Sequence, residues 1–125
     1  MIIPLSEESS HGHPRSKQET LPKAESIHLI QMASYEDNAI VSRSIINRKY
    51  GTITLFAFDQ GQGLSEHTSP FDAFVHVLEG SAEFTVSGKQ FRASEGEVVI
   101  LPANQPHALT ALSKYKMLLT MIRSG

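Results

Sequence analysis

Two histidines stand beside proline-containing breaks in the chain. His67 closes "GLSEH" just ahead of a Ser-Pro break, and His107 follows "PANQP" and opens "HALTAL". Imidazole exchanges protons near neutrality and is the commonest side-chain ligand for divalent metals. Two imidazoles in one pocket therefore allow a metal centre, proton transfer, or recognition of a ligand without turnover. The 125 residues include no cysteine, which excludes disulfides, thiolate catalysis and zinc–thiolate sites. Any metal must be held by imidazole, carboxylate or water. His11 and His13, in "HGH", are spaced to chelate a metal too, but their polar surroundings favour a solvated tail.

The elements that must position these side chains begin after an arm. Residues 1–25 are polar, contain Pro4, Pro14 and Pro22, and show no periodic apolar pattern. Such a segment buries too little to offset its ordering entropy, so a flexible arm is expected. Residues 26–125 read as one all-β domain. "IHLIQM", "AIVSRSII", "TITLFAFD", "FVHVLEG", "AEFTV", "KQFRA", "EVVILP", "HALTAL" and "YKMLLTMIR" are short and rich in β-branched and aromatic residues. Turn signals separate them, among them Ser87-Gly88, which suits a two-residue hairpin with positive φ. Only "ASYED" at 33–37 suggests as much as one helical turn. Regular short strands of this kind predict a sandwich or barrel.

Composition narrows the partners. Eleven basic and thirteen acidic residues give a formal charge of −2 with neither sign clustered, which predicts no nucleic-acid and no membrane partner. The apolar run before Pro4 is too short for a signal peptide, so a cytoplasmic protein is expected. The last strand has apolar residues on both parities: Met117, Leu119 and Met121 on one, Leu118 and Ile122 on the other. A strand apolar on both faces needs two covers. A homodimer would supply the second.

Spacing adds a family resemblance. Gly61 is followed by five residues and His67; Gly80 closes "VLEG"; fifteen residues, Ser81 to Glu95, intervene; then come Gly96, Pro102 and His107. These anchors resemble the two motifs of the cupin superfamily, G-x5-H-x-H-x3,4-E-x6-G and G-x5-P-x-G-x2-H-x3-N. The resemblance covers residues 27–125, and "LSEHTSPFDAFVHVLEG" with "PANQPHAL" and "KMLLTMIR" resembles more closely a group of small single-domain bacterial cupins, mostly of unassigned activity. The resemblance implies a cupin-type, RmlC-like double-stranded β-helix, a jelly-roll barrel. In that pattern three histidines and a glutamate converge on a divalent metal such as Zn, Ni, Fe, Mn or Cu.

Mapped onto this chain, the pattern is incomplete. His67 and His107 match the first and last ligands, whereas Ser69 and Ala73 stand at the second histidine and the glutamate, Asn104 at the glycine of P-x-G, and Ala111 at the asparagine. Loss of the carboxylate also removes the charge that offsets a buried dication. His67 and His107 are thus the candidate metal ligands, in a weak water-completed site or in a metal-free pocket. Both readings stay open. Asp72 is a further catalytic candidate: the resemblance includes metal-free epimerases with a His–Asp pair, and Asp72 is the natural partner for His67. Strand alternation, however, sets Asp72 and His76 opposite Ala73, Val75 and Val77, so Asp72 reaches the cavity only through a bulge or a shift at Pro70. Glu66 likewise alternates away from His67, and His28 has no evident partner. Phe56, Phe58, Val75, Val77 and Leu109 are expected to line the cavity. The expected function is binding of a small molecule around His67 and His107. An isomerase-type enzyme, a ligand-sensing module and a dimer with a vestigial pocket are the alternatives.

Overall fold

The computed structural model describes residues 14–17 and 21–123. Among the described residues ten strands form two sheets: β1 (Pro14–Lys17), β2 (Ile40–Arg48), β3 (Gly51–Phe58), β4 (Gly63–His67), β5 (Asp72–Glu79), β6 (Ser81–Val86), β7 (Lys89–Ser94), β8 (Val98–Leu101), β9 (His107–Ala111) and β10 (Tyr115–Ile122). The larger sheet runs β1-β2-β3-β10-β5-β8 and the smaller β4-β9-β6-β7. All pairings are antiparallel except β1 with β2, which is parallel. A short strand thus comes from the segment read as an arm, whereas His11 and His13 lie outside the described residues.

The pairing follows one rule: β6 with β7, β5 with β8, β4 with β9 and β3 with β10. A long two-stranded ribbon, closed at the Ser87-Gly88 turn, is wound so that successive turns alternate between the sheets. Both turn residues have positive φ, 49° and 84°, as the hairpin signal predicted. This winding is the double-stranded β-helix expected from the sequence. It places β4 and β9, 40 residues apart at their histidines, side by side.

Alternation fills the space between the sheets. Phe56 and Phe58 of β3, Val75 and Val77 of β5, Met117, Leu119 and Met121 of β10, and Leu64, Phe84 and Leu109 of the smaller sheet form one buried cluster. At most this cluster is worth about 25 cal/mol for each Å² of apolar surface withdrawn from water, which is why the inward residues of almost every strand are aliphatic or aromatic.

One element differs from the sequence reading. "IHLIQM" does not form a strand; Leu29–Met32 is a single 3-10 turn. Three residues per turn put Leu29 and Met32 on one side, where they pack over Val41, Leu55, Ala57 and Leu118 on the outer face of the larger sheet. The segment therefore covers the sheet instead of extending it. Lys116, 6% exposed, donates its Nζ to the Ile30 carbonyl at 2.6 Å, and the Tyr35 hydroxyl donates to Glu79 at 2.5 Å. Part of the second cover that β10 requires is hence internal, since Leu118 lies beneath this strap. Phe74, Val98, Ile100 and Ile122 remain exposed.

Gly80, between β5 and β6, has φ +76°, and a Cβ there would collide with the Lys114 carbonyl oxygen. Gly88 has φ +84° but open space around it. Gly80→Ala is expected to cost on the order of 3 kcal/mol in urea unfolding, against about 1–2 kcal/mol for Gly88→Ala, which carries only the left-handed backbone penalty. Equal losses would show that the Lys114 contact is unimportant.

Candidate functional site

His67 is brought inside by an irregularity. In β4, Leu64 faces the core at 2% exposure and pairs with Leu109, while His67 pairs with His107. Three residue steps on β4 thus match two on β9, so the strand carries one extra residue, a β-bulge at Ser65–Glu66. Regular alternation would send Leu64 and His67 to opposite faces; the extra residue returns His67 to the face of Leu64. Glu66 is left exposed, as expected. β9 is regular, and His107, Leu109 and Ala111 all face inward.

The two imidazoles meet edge to face, with ring centroids 4.4 Å apart and an interplanar angle of 75°. Each ring is held by a main-chain carbonyl two residues earlier: His67 Nδ1 lies 2.6 Å from the Ser65 oxygen and His107 Nδ1 3.1 Å from the Gln105 oxygen. A carbonyl only accepts, so each Nδ1 carries the proton and each Nε2 of the neutral ring is the lone-pair atom. His67 Nε2 is buried without a partner. Around the pair, Leu64, Val75, Phe84, Leu101, Leu109, Met117 and Leu119 line a hollow of about 270 Å³, its open mouth included. Within it there is room for about one water molecule.

Of the expected lining, Val75 and Leu109 do border the hollow, whereas Phe56, Phe58 and Val77 are packed in the core behind it. Leu101, just before Pro102, and Met117 and Leu119 of β10 were not anticipated as lining. Their inward parity was legible in the strand pattern, but which inward residues border a void depends on how the sheets pack.

Asp72 is not brought to the imidazoles. It begins β5 with its side chain exposed, and Oδ1 accepts from the Ala103 amide at 3.0 Å. Adjacent Ala73 is the inward residue, and β5 pairs regularly from Asp72 to Val77, its own irregularity coming only at Leu78, so nothing turns Asp72 inward. His76 is on the outer face beside Leu118 and Val98. His28 is exposed. Ser69 is buried, but its hydroxyl accepts from the Phe71 amide at 3.2 Å. Asn104, at the motif's glycine position, has φ 64°, a left-handed conformation that asparagine tolerates, and its amide donates to the Ser69 carbonyl at 2.7 Å.

The four-donor metal set therefore does not assemble. Among the described residues no group of three or more histidine, aspartate or glutamate side chains is placed to hold an ion. Two Nε2 atoms with lone pairs fit only a reduced site, whose remaining positions fall to water or ligand.

A family model described as a cupin domain matches residues 54–123, more than half of the chain. The chain belongs to the cupin family. Among solved structures, this cupin is similar to a conserved protein of unknown function from Streptococcus pyogenes, with 34% identity over 86% of this chain and 94% of that one and a TM-score of 0.81. It is also similar to a cupin 2 conserved barrel domain protein from Leptotrichia buccalis, with 36% identity over 78% of this chain and 47% of that one, TM-score 0.75. A cupin superfamily protein from Desulfitobacterium hafniense shares the fold at 24% identity, over 85% and 97% of the two chains, with TM-score 0.79. No curated protein matches the chain. Among the described residues no helix is long and apolar enough to cross a membrane.

Burial holds the His107 imidazole below its ordinary pKa of 6.5, and the charge of His67 adds to this, against the opposing Gln105 hydrogen bond. A depressed folded-state value means that the unfolded chain binds the proton more readily. The resulting stability is complete above pH 6.5 and is lost as pH falls through the folded-state value. Melting temperature is expected to drop as pH falls below about 6.5, and His107→Leu to flatten that drop. An unchanged slope in the variant would remove His107 as its source.

Proposed function

We propose that this cupin binds a small molecule at the mouth of the barrel, through the Nε2 atoms of His67 and His107. The observation that carries the reading is the cross-strand pairing of buried His107 with half-buried His67, whose Nδ1 atoms are already committed to carbonyls. Each ring then offers only an acceptor. Such a pair takes a ligand hydroxyl or amide proton directly, or a weakly held divalent metal that the ligand helps to coordinate. When bound, a metal here would supply Lewis acidity to a ligand oxygen. The chain's own residues orient the two nitrogens, keep water scarce around them and hold His107 neutral at pH 7. The small hollow favours a ligand whose body stays outside it, with one polar group inserted.

A His–Asp proton relay has less support, because the Asp72 carboxylate is engaged by Ala103 outside the barrel. Specific binding without turnover is the reading we retain.

Metal titration of untagged protein tests the coordinating form. Zinc or nickel in hundredfold excess over its Kd is expected to stabilise the fold by about 2.7 kcal/mol. The shift should survive in the His11→Ala/His13→Ala variant and vanish in His67→Ala and in His107→Ala. A shift lost only in the former would assign metal to the N-terminal pair; no shift at all would leave direct hydrogen bonding as the binding mode.

We also propose a homodimer formed at the β8 edge. β8 ends the larger sheet, and its exposed Val98 and Ile100 adjoin exposed Phe74 on β5. An unprotected apolar edge invites strand addition, and a two-fold copy of the same edge would cover it symmetrically. Analytical ultracentrifugation is expected to give a dimer for the wild type and a folded monomer for Ile100→Lys. Unchanged mass in both would rule this edge out.

A further inference from the structure

We propose that the far end of β10, where it meets the β2–β3 turn, carries a binding site for a small oxyanion, a carboxylate or phosphate group, formed by Arg48, Lys49, Arg123 and Thr52. These residues, with Gly51, Phe71 and Met121, line a second hollow of about 220 Å³, its open mouth included, with room for little more than one or two water molecules. That suits a single ionic group.

Strand register brings the cations together. Arg48 ends β2 and Lys49 lies in the turn to β3; Arg48 and Ile122 both pair with Gly51. The Arg123 amide donates to the Tyr50 carbonyl at 2.9 Å, which fixes the end of β10 against that turn. The Arg123 guanidinium lies 5.8 Å from the centre of the Phe71 ring, Lys49 lies 5.2 Å over Tyr50, and Arg48 donates to the neighbouring Asn47 carbonyl at 3.0 Å. Among the described residues no carboxylate is paired with any of the three. On a chain of net charge −2, three unneutralised cations at one end are not a reflection of a basic composition.

Thr52 is the independent sign of a ligand. It is 3% exposed, and its Oγ1 is buried with no hydrogen-bond partner. A buried hydroxyl left unpaired is destabilising, and such a group lining a cationic hollow is placed to donate to an anion. Two guanidinium forks and an ammonium at the rim match the planar or tetrahedral oxygens of a carboxylate or phosphate. Met121 follows Leu119 by two residues on the same face of β10, so this hollow adjoins the histidine hollow at a spacing of about 7 Å. The proposal does not depend on metal or ligand binding at the histidines.

Thermal melts and amide NMR in low-salt buffer test it, with sodium phosphate and sodium acetate each compared to sodium chloride at equal ionic strength. In the wild type, one of the two is expected to give a saturable stabilisation beyond chloride, with shifts confined to residues 48–52, 71 and 121–123; which of them does so identifies phosphate or carboxylate as the group. Thr52→Val should be at least as stable as wild type in chloride, because it removes an unpaired hydroxyl. It should nonetheless bind the anion at least tenfold more weakly, as should Arg123→Gln. A rise shared equally by wild type and both variants is generic salting-out and overturns the proposal. So does a wild type in which neither anion exceeds chloride.

Discussion

The site depends on one extra residue in a five-residue strand. The ribbon winding makes β4 and β9 neighbours, but neighbouring strands alone would leave His67 facing outward while His107 faces in. The bulge at Ser65–Glu66 reverses the parity of His67, and the same bulge presents the Ser65 carbonyl that accepts its Nδ1 proton. Position, direction and tautomer of that imidazole thus share a single backbone cause. The apolar packing of the two sheets then sets the surroundings in which His107 stays neutral.

The fold was legible because its strands alternate strongly and its turns use residues that demand particular backbone angles. "TITLFAFD" and "YKMLLTMIR" appear as β3 and β10, and Ser87-Gly88 closes the hairpin as expected. β4 escaped notice as a strand, since "GLSEH" offers one aliphatic residue and opens on glycine. The strap was misread for the opposite reason: "IHLIQM" is apolar enough for a strand, yet Leu29 and Met32 are three apart and face one side only in a 3-10 turn. The juxtaposition of His67 and His107 followed from motif spacing, whereas its cause, a bulge, leaves no mark in residue types. Asp72 was placed correctly by parity, because β5 pairs regularly from Asp72 to Val77.

The departures from the family's metal set also have a structural reading. Ser69 keeps its buried position but spends its hydroxyl on the Phe71 amide, Ala73 fills core space, and Asn104 adopts the left-handed angle its motif reserves for glycine. The loop geometry of a cupin site is retained after its donors have been replaced. Such a scaffold still orients two nitrogens, but it no longer supplies negative charge, so any charge balance has to come from the guest.

The Asp72 and Asn104 contacts have a kinetic consequence. Ala103 donates to Asp72, and Asn104 donates to the Ser69 carbonyl, so the loop leaving His67 and the loop approaching His107 are stitched together. Each stitch is worth about 1 kcal/mol net. Parting both at once is a small activation cost, and neither loop swings far without the other. Any parting of these loops is therefore a concerted movement of two tethered segments, governed jointly by the Asp72 and Asn104 contacts.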